Sequence, residues 1–332
     1  MENSFWEKLK KPFFCLAPMA DVTDAAFRRV IAKYGKPDVF WTEFVSADGL
    51  FHRDELGDKN SRGVLRRDLV FTENERPIVA QFFTSKPEMM EYASKLALEL
   101  GFDGIDINMG CPDKTIEKQG SGAALCKNPP LARELIKSAK LGSQNKLPVS
   151  VKIRLGYNKD ILEEWLPELL AENPAAITIH ARTRKEMSKV PARWNRIKDA
   201  VQIRNSLNSK TLIIGNGDVL DLNDARKKIA ETGCDGVMLG KAIFGNPFLF
   251  AEKKNSDEFK QPKLRLQVLL EHTKLFEELL GDIKPFAIMK KHFKAYVSGW
   301  DGAKELRMKL METENSKQVE LLITDYLKKE NI

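Results

Sequence analysis

A few residue settings in this 332-residue chain offer chemistry that packing alone does not require. Cys111 lies in Asn108-Met109-Gly110-Cys111-Pro112-Asp113-Lys114, just past the apolar run Gly104-Ile105-Asp106-Ile107. A structural cysteine belongs inside such a run; one set between Gly and Pro at its exit faces solvent or a ligand. Lys152 is embedded in the apolar stretch VSVKIR, and lysine is rarely buried without a partner. With Val151 and Ile153 turned outward, it points into the mouth of the fold. A cation there suits an electron-rich, anion-forming ligand such as a reduced flavin. The alternative is a structural pair with a neighbouring carboxylate such as Asp106, since buried ions need pairing.

His180, in ITIHART, reads either as a satisfied core histidine or as a ligand contact. The basic loop after it carries Arg182 and Arg184, which either grip phosphate with bidentate forks or are simply solvated. The stretches GNGD (215–218) and GKAIFGNP (240–247) are glycine-containing turns. Small residues let backbone N–H groups approach a phosphate, and a short helix after the turn aims its positive end at it. Each alone reads equally well as a tight turn; the two together favour phosphate.

The elements that must hold these residues follow from apolar patterning. Eight short runs alternate with helical segments: Phe13–Ala17, Val39–Phe44, Ile78–Phe82, Gly104–Asn108, Val149–Arg154, Ala176–His180, Leu212–Asn216 and Gly236–Gly240. They are continuous rather than alternating, as parallel strands covered by helices require. Helices are predicted over Asp24–Tyr34, Pro87–Leu100, Pro130–Leu141, Asp160–Glu172 (kinked or split at Pro167) and Asp221–Glu231. This is the pattern of a (β/α)8 TIM barrel, with an open doubly wound sheet as competitor. In a barrel the active site lies at the C-terminal strand ends. Polar or ligand-type residues crown seven of them: Pro18, Met19 and Ala20; Gln81; Asn108 and Cys111; Lys152 and Arg154; His180; Asn216, Gly217 and Asp218; Gly240 and Lys241.

No strand pattern follows Phe250. Helices are predicted over Leu264–Leu280, Lys284–Val297, Ala303–Leu310 and Lys317–Lys328, so the chain divides into a barrel domain, 1–255, and a small all-helical domain, 256–332. Ser46–Arg76 is a long charged connection, with Arg62, Arg66 and Arg67, that reads equally as a substrate loop or a surface insertion. Apolar residues make up 42% and charged residues 30%, ordinary for a soluble protein. No apolar run approaches the roughly 20 residues that span a bilayer. The N-terminal stretch lacks a signal-peptide pattern, so a cytoplasmic protein with no membrane attachment is expected. Four cysteines without a C-x-x-C pair and only four histidines argue against a metal site. The net charge of +7 permits a polyanionic partner without proving one.

Taken in order, APMADVTDAAFRR (17–29), NMGCPDKTIEKQGSGAAL (108–125), VKIRLG (151–156), ITIHART (177–183), GNGDV (215–219) and GKAIFGNPFLF (240–250) resemble the tRNA-dihydrouridine synthases over about residues 12–250. The resemblance implies an FMN-dependent barrel enzyme whose flavin is reduced by NADPH. The flavin then passes hydride to C6 of a uracil in tRNA, while a loop cysteine protonates C5. Carried over, Cys111 is that proton donor. Pro18, Met19 and Ala20 line the isoalloxazine, Gln81 bonds the ring, and Lys152 holds its N1/O2 edge. His180, Asn216, Gly217, Asp218, Gly240 and Lys241 hold ring, ribityl chain and phosphate, and Asn108 and Arg154 face the uracil. A thiol with an unperturbed pKa of about 8.5 still carries its proton at neutral pH, which suits a general acid.

The resemblance also assigns the helical tail a part in gripping tRNA. Within KPFAIMKKHFKAYVSGW (284–300), Phe286, Met289, Phe293 and Tyr296 recur at helical spacing, leaving Lys290, Lys291 and Lys294 on the other face. The alternative there is a solvated face. There are departures from the family: QFFTS (81–85) lacks the usual glycine turn, Lys241 replaces a common Arg, and KEMSKVPARW (185–194) is longer than expected. Two other readings compete. One is an FMN barrel reductase of the dihydroorotate dehydrogenase type acting on a free small molecule. The other is an RNA-binding protein with a degenerate barrel. A monomer is expected.

Overall fold

A computed structural model describes residues 4–55, 63–251 and 261–330. Eight strands form one parallel sheet: β1 (Phe13–Leu16), β2 (Phe40–Ser46), β3 (Ile78–Phe83), β4 (Gly104–Met109), β5 (Val149–Arg154), β6 (Ala176–His180), β7 (Leu212–Asn216) and β8 (Gly236–Leu239). Their order is β1-β8-β7-β6-β5-β4-β3-β2. The two ends meet: Cys15 bridges Val39, Leu16 N–H donates to Val39 O at 3.3 Å, and Asp38 N–H donates to Phe14 O at 2.9 Å. The predicted (β/α)8 barrel is therefore the fold, and the open-sheet alternative falls away.

The helices are α1 (Phe5–Lys8), α2 (Ala25–Tyr34), α3 (Ala47–Glu55), α4 (Val64–Arg67), α5 (Pro87–Glu99), α6 (Lys114–Lys118), α7 (Pro129–Gly142), α8 (Leu162–Leu170), α9 (Trp194–Ser206), α10 (Leu222–Thr232), α11 (Pro262–Leu280), α12 (Met289–Tyr296), α13 (Ala303–Leu310) and α14 (Ser316–Lys329). Local chemistry sets their ends. Asp24 and Asn128 cap α2 and α7 by accepting N–H bonds from Phe27 and Leu131, satisfying donors the helix itself cannot. Pro87 and Pro129 open their helices where the missing N–H costs nothing. Pro167 lies within a single helix, α8, rather than splitting it. Sequence patterning missed α9, because only Ile197, Ala200 and Val201 of its thirteen residues are buried. No described helix is long and apolar enough to cross a membrane.

The barrel interior carries an apolar cluster that starts at the N-terminal strand ends with Phe13, Val39, Ala176 and Leu212 and rises through Cys15, Trp41, Val79, Ile214 and Met238. Trp6 of α1 closes that end, its ring centroid 5.7 Å from Phe13 and 6.0 Å from Trp41. This large apolar plug contributes stability through area removed from water and leaves polar chemistry to the opposite strand ends.

By compactness the chain forms two units. The first comprises Met1–Met19, Asp38–Leu69 and Arg76–Gly240; the second comprises Ala20–Pro37, Val70–Glu75 and Lys241–Ile332. The boundary expected at 255/256 lies outside the described residues, as does Arg62 of the long connection. In the first unit that connection is braced by Arg66, whose guanidinium forks onto Asp54 at 2.7 and 3.1 Å. Its end, Val70–Glu75, belongs to the second unit, where Arg28 and Glu75 form a fully buried ion pair at 2.7 Å. Arg28 also donates to Thr23 O and Val70 O, and Thr72 donates to Glu75. Each guanidinium nitrogen of Arg28 and both carboxylate oxygens of Glu75 thereby have a partner, as a buried pair requires.

Candidate active site

Parallel register places the candidate residues in adjacent rows across the strands. Gln81, Asp106 and Ser150 are Cα partners in one row. Asn108, Lys152 and Thr178 form the next, and Arg154, His180, Asn216 and Met238 the one above. Because strand side chains alternate, a shared row means a shared face.

In the lowest row Asp106 is fully buried. Gln81 Nε2 donates to its Oδ2 at 2.6 Å, and Ser150 Oγ donates to its Oδ1 at 2.6 Å. Burial pushes this carboxyl up to about 6, against the opposing effect of Ser150, Gln81 and the Lys152 charge. Lys152, half-buried above it, feels the Asp106 charge but makes no ion pair with it among the described residues. Burial, with Arg154 adding, lowers the Lys152 ammonium to about 8. The buried Thr178 hydroxyl in the same row finds no hydrogen-bond partner among the described residues.

Asn108 donates from Nδ2 to Gln81 Oε1 at 3.2 Å, and its Oδ1 accepts the N–H groups of Gly110 at 3.1 Å and Cys111 at 2.9 Å. Cys111 thus leaves β4 on a fixed turn, with its thiol half-buried. Burial pushes that thiol up; the Asp113 N–H and the charges of Lys152 and Arg154 pull the other way and lose. The thiol is protonated at neutral pH. Its carbonyl accepts Ala123 N–H at 2.9 Å. Gly122, at φ +62°, passes so close that an added Cβ would lie 2.8 Å from Cys111 O, which only glycine tolerates.

Two of the three arginines, Arg154 and Arg184, serve this loop. Arg154 donates to Gly110 O at 2.8 Å and to the carbonyls of Thr183 and Met187 at 3.1 and 3.0 Å; burial lowers its guanidinium to about 10. Arg184 is forked onto Glu117 of α6. Arg182 is buried, donating to Val190 O at 2.6 Å and to Asp218, with its Nη1 3.1 Å from His180 Nε2. Asp218 also accepts Ala192 N–H at 2.8 Å. Sequence reasoning aimed Arg182 and Arg184 outward; it did not find Glu117, Ser150 or Thr178. The signal for the last two was present, since each shares β-strand parity with a residue already singled out.

At the β7 end, Asn216 Nδ2 donates to Met238 O at 2.8 Å. Gly217 adopts φ +121°, and an added Cβ would come within 2.9 Å of Ala192 and 3.1 Å of His180. Pro18 is buried, Met19 half-buried against the barrel core, and Met19 Sδ would lie 3.6 Å from a Cβ placed on Gly240. Ala20 and Lys241 belong to the second unit, where both are exposed and Lys241 begins a short 3-10 turn. Of the tail lysines, Lys291 and Lys294 are exposed on α12 and Lys290 is half-buried. His292 instead turns into the core of that unit. No group of three or more His, Cys, Asp or Glu suited to a metal occurs among the described residues.

A family model described as dihydrouridine synthase matches residues 15–331. A protein named probable tRNA-dihydrouridine synthase 2 from Bacillus subtilis (strain 168) is 41% identical over 99% of this chain and 98% of its own. A probable tRNA-dihydrouridine synthase from Staphylococcus aureus (strain COL) is 39% identical over 98% and 96%. Among solved structures, 6-hydroxypseudooxynicotine amine oxidase from Pseudomonas geniculata N1 superposes with a TM-score of 0.53 at 12% identity, over 81% of this chain and 53% of its own. Histamine dehydrogenase from Rhizobium sp. 4-9 gives 0.51 at 11%, over 79% and 48%. The chain spans about half of each of these two, and the likeness is one of fold.

Proposed function

The chain belongs to the dihydrouridine synthase family, and from that premise we propose that it reduces uridines of tRNA to 5,6-dihydrouridine, with Cys111 as the proton donor. The residues at the strand ends fit a flavin. The Lys152 ammonium lacks an ion pair among the described residues, and the Thr178 hydroxyl beside it is unmet. A bound FMN, reduced by NADPH, would supply the hydride that goes to uracil C6.

Lys152 would hold the ring edge where reduction builds negative charge. Pro18, Met19 and Ala20 would line the ring, with Gln81 beneath. His180, Asn216, Gly217, Asp218, Gly240 and Lys241 would hold the ribityl chain and phosphate. Residues 1–255 form the catalytic part in this reading and 256–332 the part that grips tRNA, through Lys290, Lys291 and Lys294. The target base leaves its stack to enter the barrel mouth, where Asn108 and the remaining Nη2 of Arg154 face it. Cys111 gives the thiol proton to C5 as the C5=C6 double bond is reduced, and the thiolate is reprotonated from solvent. Arg182 and Arg184 act by holding Asp218 and Glu117.

The observation that carries this reading is the seat of Cys111. Cys111 is a half-buried thiol just past β4, its titration pushed up by burial and its backbone N–H held by Asn108 Oδ1 at 2.9 Å. Cys111→Ala tests it. The variant should keep its flavin and NADPH-driven flavin reduction while dihydrouridine formation falls by about 10²–10⁴, the usual worth of a general acid. Turnover on tRNA at the normal rate would remove Cys111 from the role.

A further inference from the structure

Asp106 takes no part in the chemistry above, yet its bonds lead directly to Cys111. An ionised carboxylate accepts hydrogen bonds and donates none, whereas a carboxamide has one donating and one accepting end. Because Gln81 Nε2 faces Asp106 Oδ2 at 2.6 Å, Gln81 Oε1 is left to face Asn108, and it accepts Asn108 Nδ2 at 3.2 Å. Asn108 is then left with Oδ1 toward the loop, where it accepts the N–H groups of Gly110 and Cys111. The direction of the first bond dictates the direction of the last. Were the relay reversed, the NH2 group of Asn108 would confront two N–H groups with no acceptor between them. Asp106, Gln81 and Asn108 are 0%, 0% and 5% exposed, so water does not readily make good the mismatch.

We infer that Asp106 is a positioning residue for Cys111: by fixing the polarity of the Gln81–Asn108 amide relay, it sets the turn that holds the thiol at the barrel mouth. The inference rests on the proton-donor reading for its catalytic meaning, but not for its geometry. The groups facing Asp106 are Gln81 on β3, Ser150 and Lys152 on β5, and the Trp41 indole on β2. Ser150 also lies 3.2 Å from Ile105 O, so its hydroxyl has a second acceptor and does not itself fix the relay's direction. Below about pH 6 the carboxyl takes up a proton, but like a carboxamide it keeps an acceptor oxygen for Gln81.

The test reads the thiol itself in flavin-loaded protein, through the rate of alkylation by iodoacetamide. Cys15, Cys126 and Cys234 are buried, so the reaction reports Cys111. Asp106→Leu should raise the alkylation rate about tenfold at neutral pH, a size typical for one lost buried hydrogen bond. It should lower kcat on tRNA by a similar factor with KM unchanged. Asp106→Asn still offers Gln81 an acceptor and should stay within about threefold of wild type. Gln81→Met cuts the same link from its other end and should match Asp106→Leu, so the question survives if the leucine variant does not fold. Wild-type alkylation in folded Asp106→Leu or Gln81→Met would overturn the inference. If alkylation responds as stated but Cys111→Ala still makes dihydrouridine, the relay stands and the proton-donor reading falls.

Discussion

Arg184 grips Glu117 through both carboxylate oxygens, with Nε 2.7 Å from Oε1 and Nη2 against Oε2. Glu117 lies on α6, the helix that begins three residues after Cys111, and its side chain is only 8% exposed. Arg184 also reaches Pro112 O and packs over the Tyr157 ring, 5.3 Å from its centroid. A guanidinium committed in this way steadies the loop of the proton donor. Arg184→Gln would strand a nearly buried carboxylate, which is strongly destabilising locally. Steady-state kinetics on tRNA should show kcat down about tenfold with KM little changed. Arg184→Lys should recover only part of the loss, because an ammonium cannot reproduce the fork. A change confined to KM would instead make Arg184 a phosphate contact.

The strands were legible because a parallel barrel buries both faces of each one. β5, β6 and β7 have the bounds that the apolar runs predict. Lys152 and Cys111 were legible because each violates its local surroundings, one as a charge in an apolar strand and the other as a thiol outside one. The arginines were not. Arg154, Arg182 and Arg184 find acceptors 44, 36 and 67 residues away, at Gly110, Asp218 and Glu117. A count of basic residues in a loop carries no information about partners so distant in sequence. The same holds for Asp106: the strand pattern puts it on the face of Asn108, but only the folded barrel brings Gln81 and Ser150 to its two oxygens.

Lys152 is half-buried and its ammonium is lowered to about 8. As pH rises through that value the positive charge is lost, so retention of an anionic flavin should weaken above about pH 8 and be steady below it. Lys152→Met should release flavin at neutral pH, with occupancy after desalting, read from flavin absorbance per chain, well below wild type. Unchanged occupancy and an unchanged pH profile would exclude Lys152 from flavin binding.

Lys290, Lys291 and Lys294 lie on one helix, α12, with Lys291 Nζ 3.8 Å from Asp21 Oδ2. Exposed lysines at such spacing track a phosphate backbone through counterion release. Replacing all three with glutamine should raise KM for tRNA about tenfold at moderate salt while leaving kcat intact. It should also reduce the slope of log affinity against log salt by about two to three, roughly one for each phosphate no longer neutralised. Identical slopes would mark this helix face as merely solvated.

His272 and His292 are packed ring against ring in the second unit, their centroids 4.5 Å apart. Phe27 stacks on His272 at 4.9 Å and meets His292 edge-on at 4.8 Å. Both are fully buried, and none of their ring nitrogens has a hydrogen-bond partner among the described residues. Burial therefore drives both imidazoles down, His292 to about 3 with Lys291 adding to the effect. The unfolded chain takes up these protons near the ordinary histidine value of about 6.5, while the folded chain refuses them. Stability should thus fall as pH drops from about 6.5 toward 3, by about 2 kcal/mol for His292 alone on reaching pH 5. His292→Phe keeps a ring in place and has no proton to refuse. Denaturant unfolding of wild type and variant at about pH 7 and pH 5 should show the gap between them shifting by that amount in favour of the variant. The buried Asp106 carboxyl, present in both proteins, cancels in the difference. Parallel losses on acidification would mean that His292 accepts a proton in the folded state and that the cluster opens to admit it.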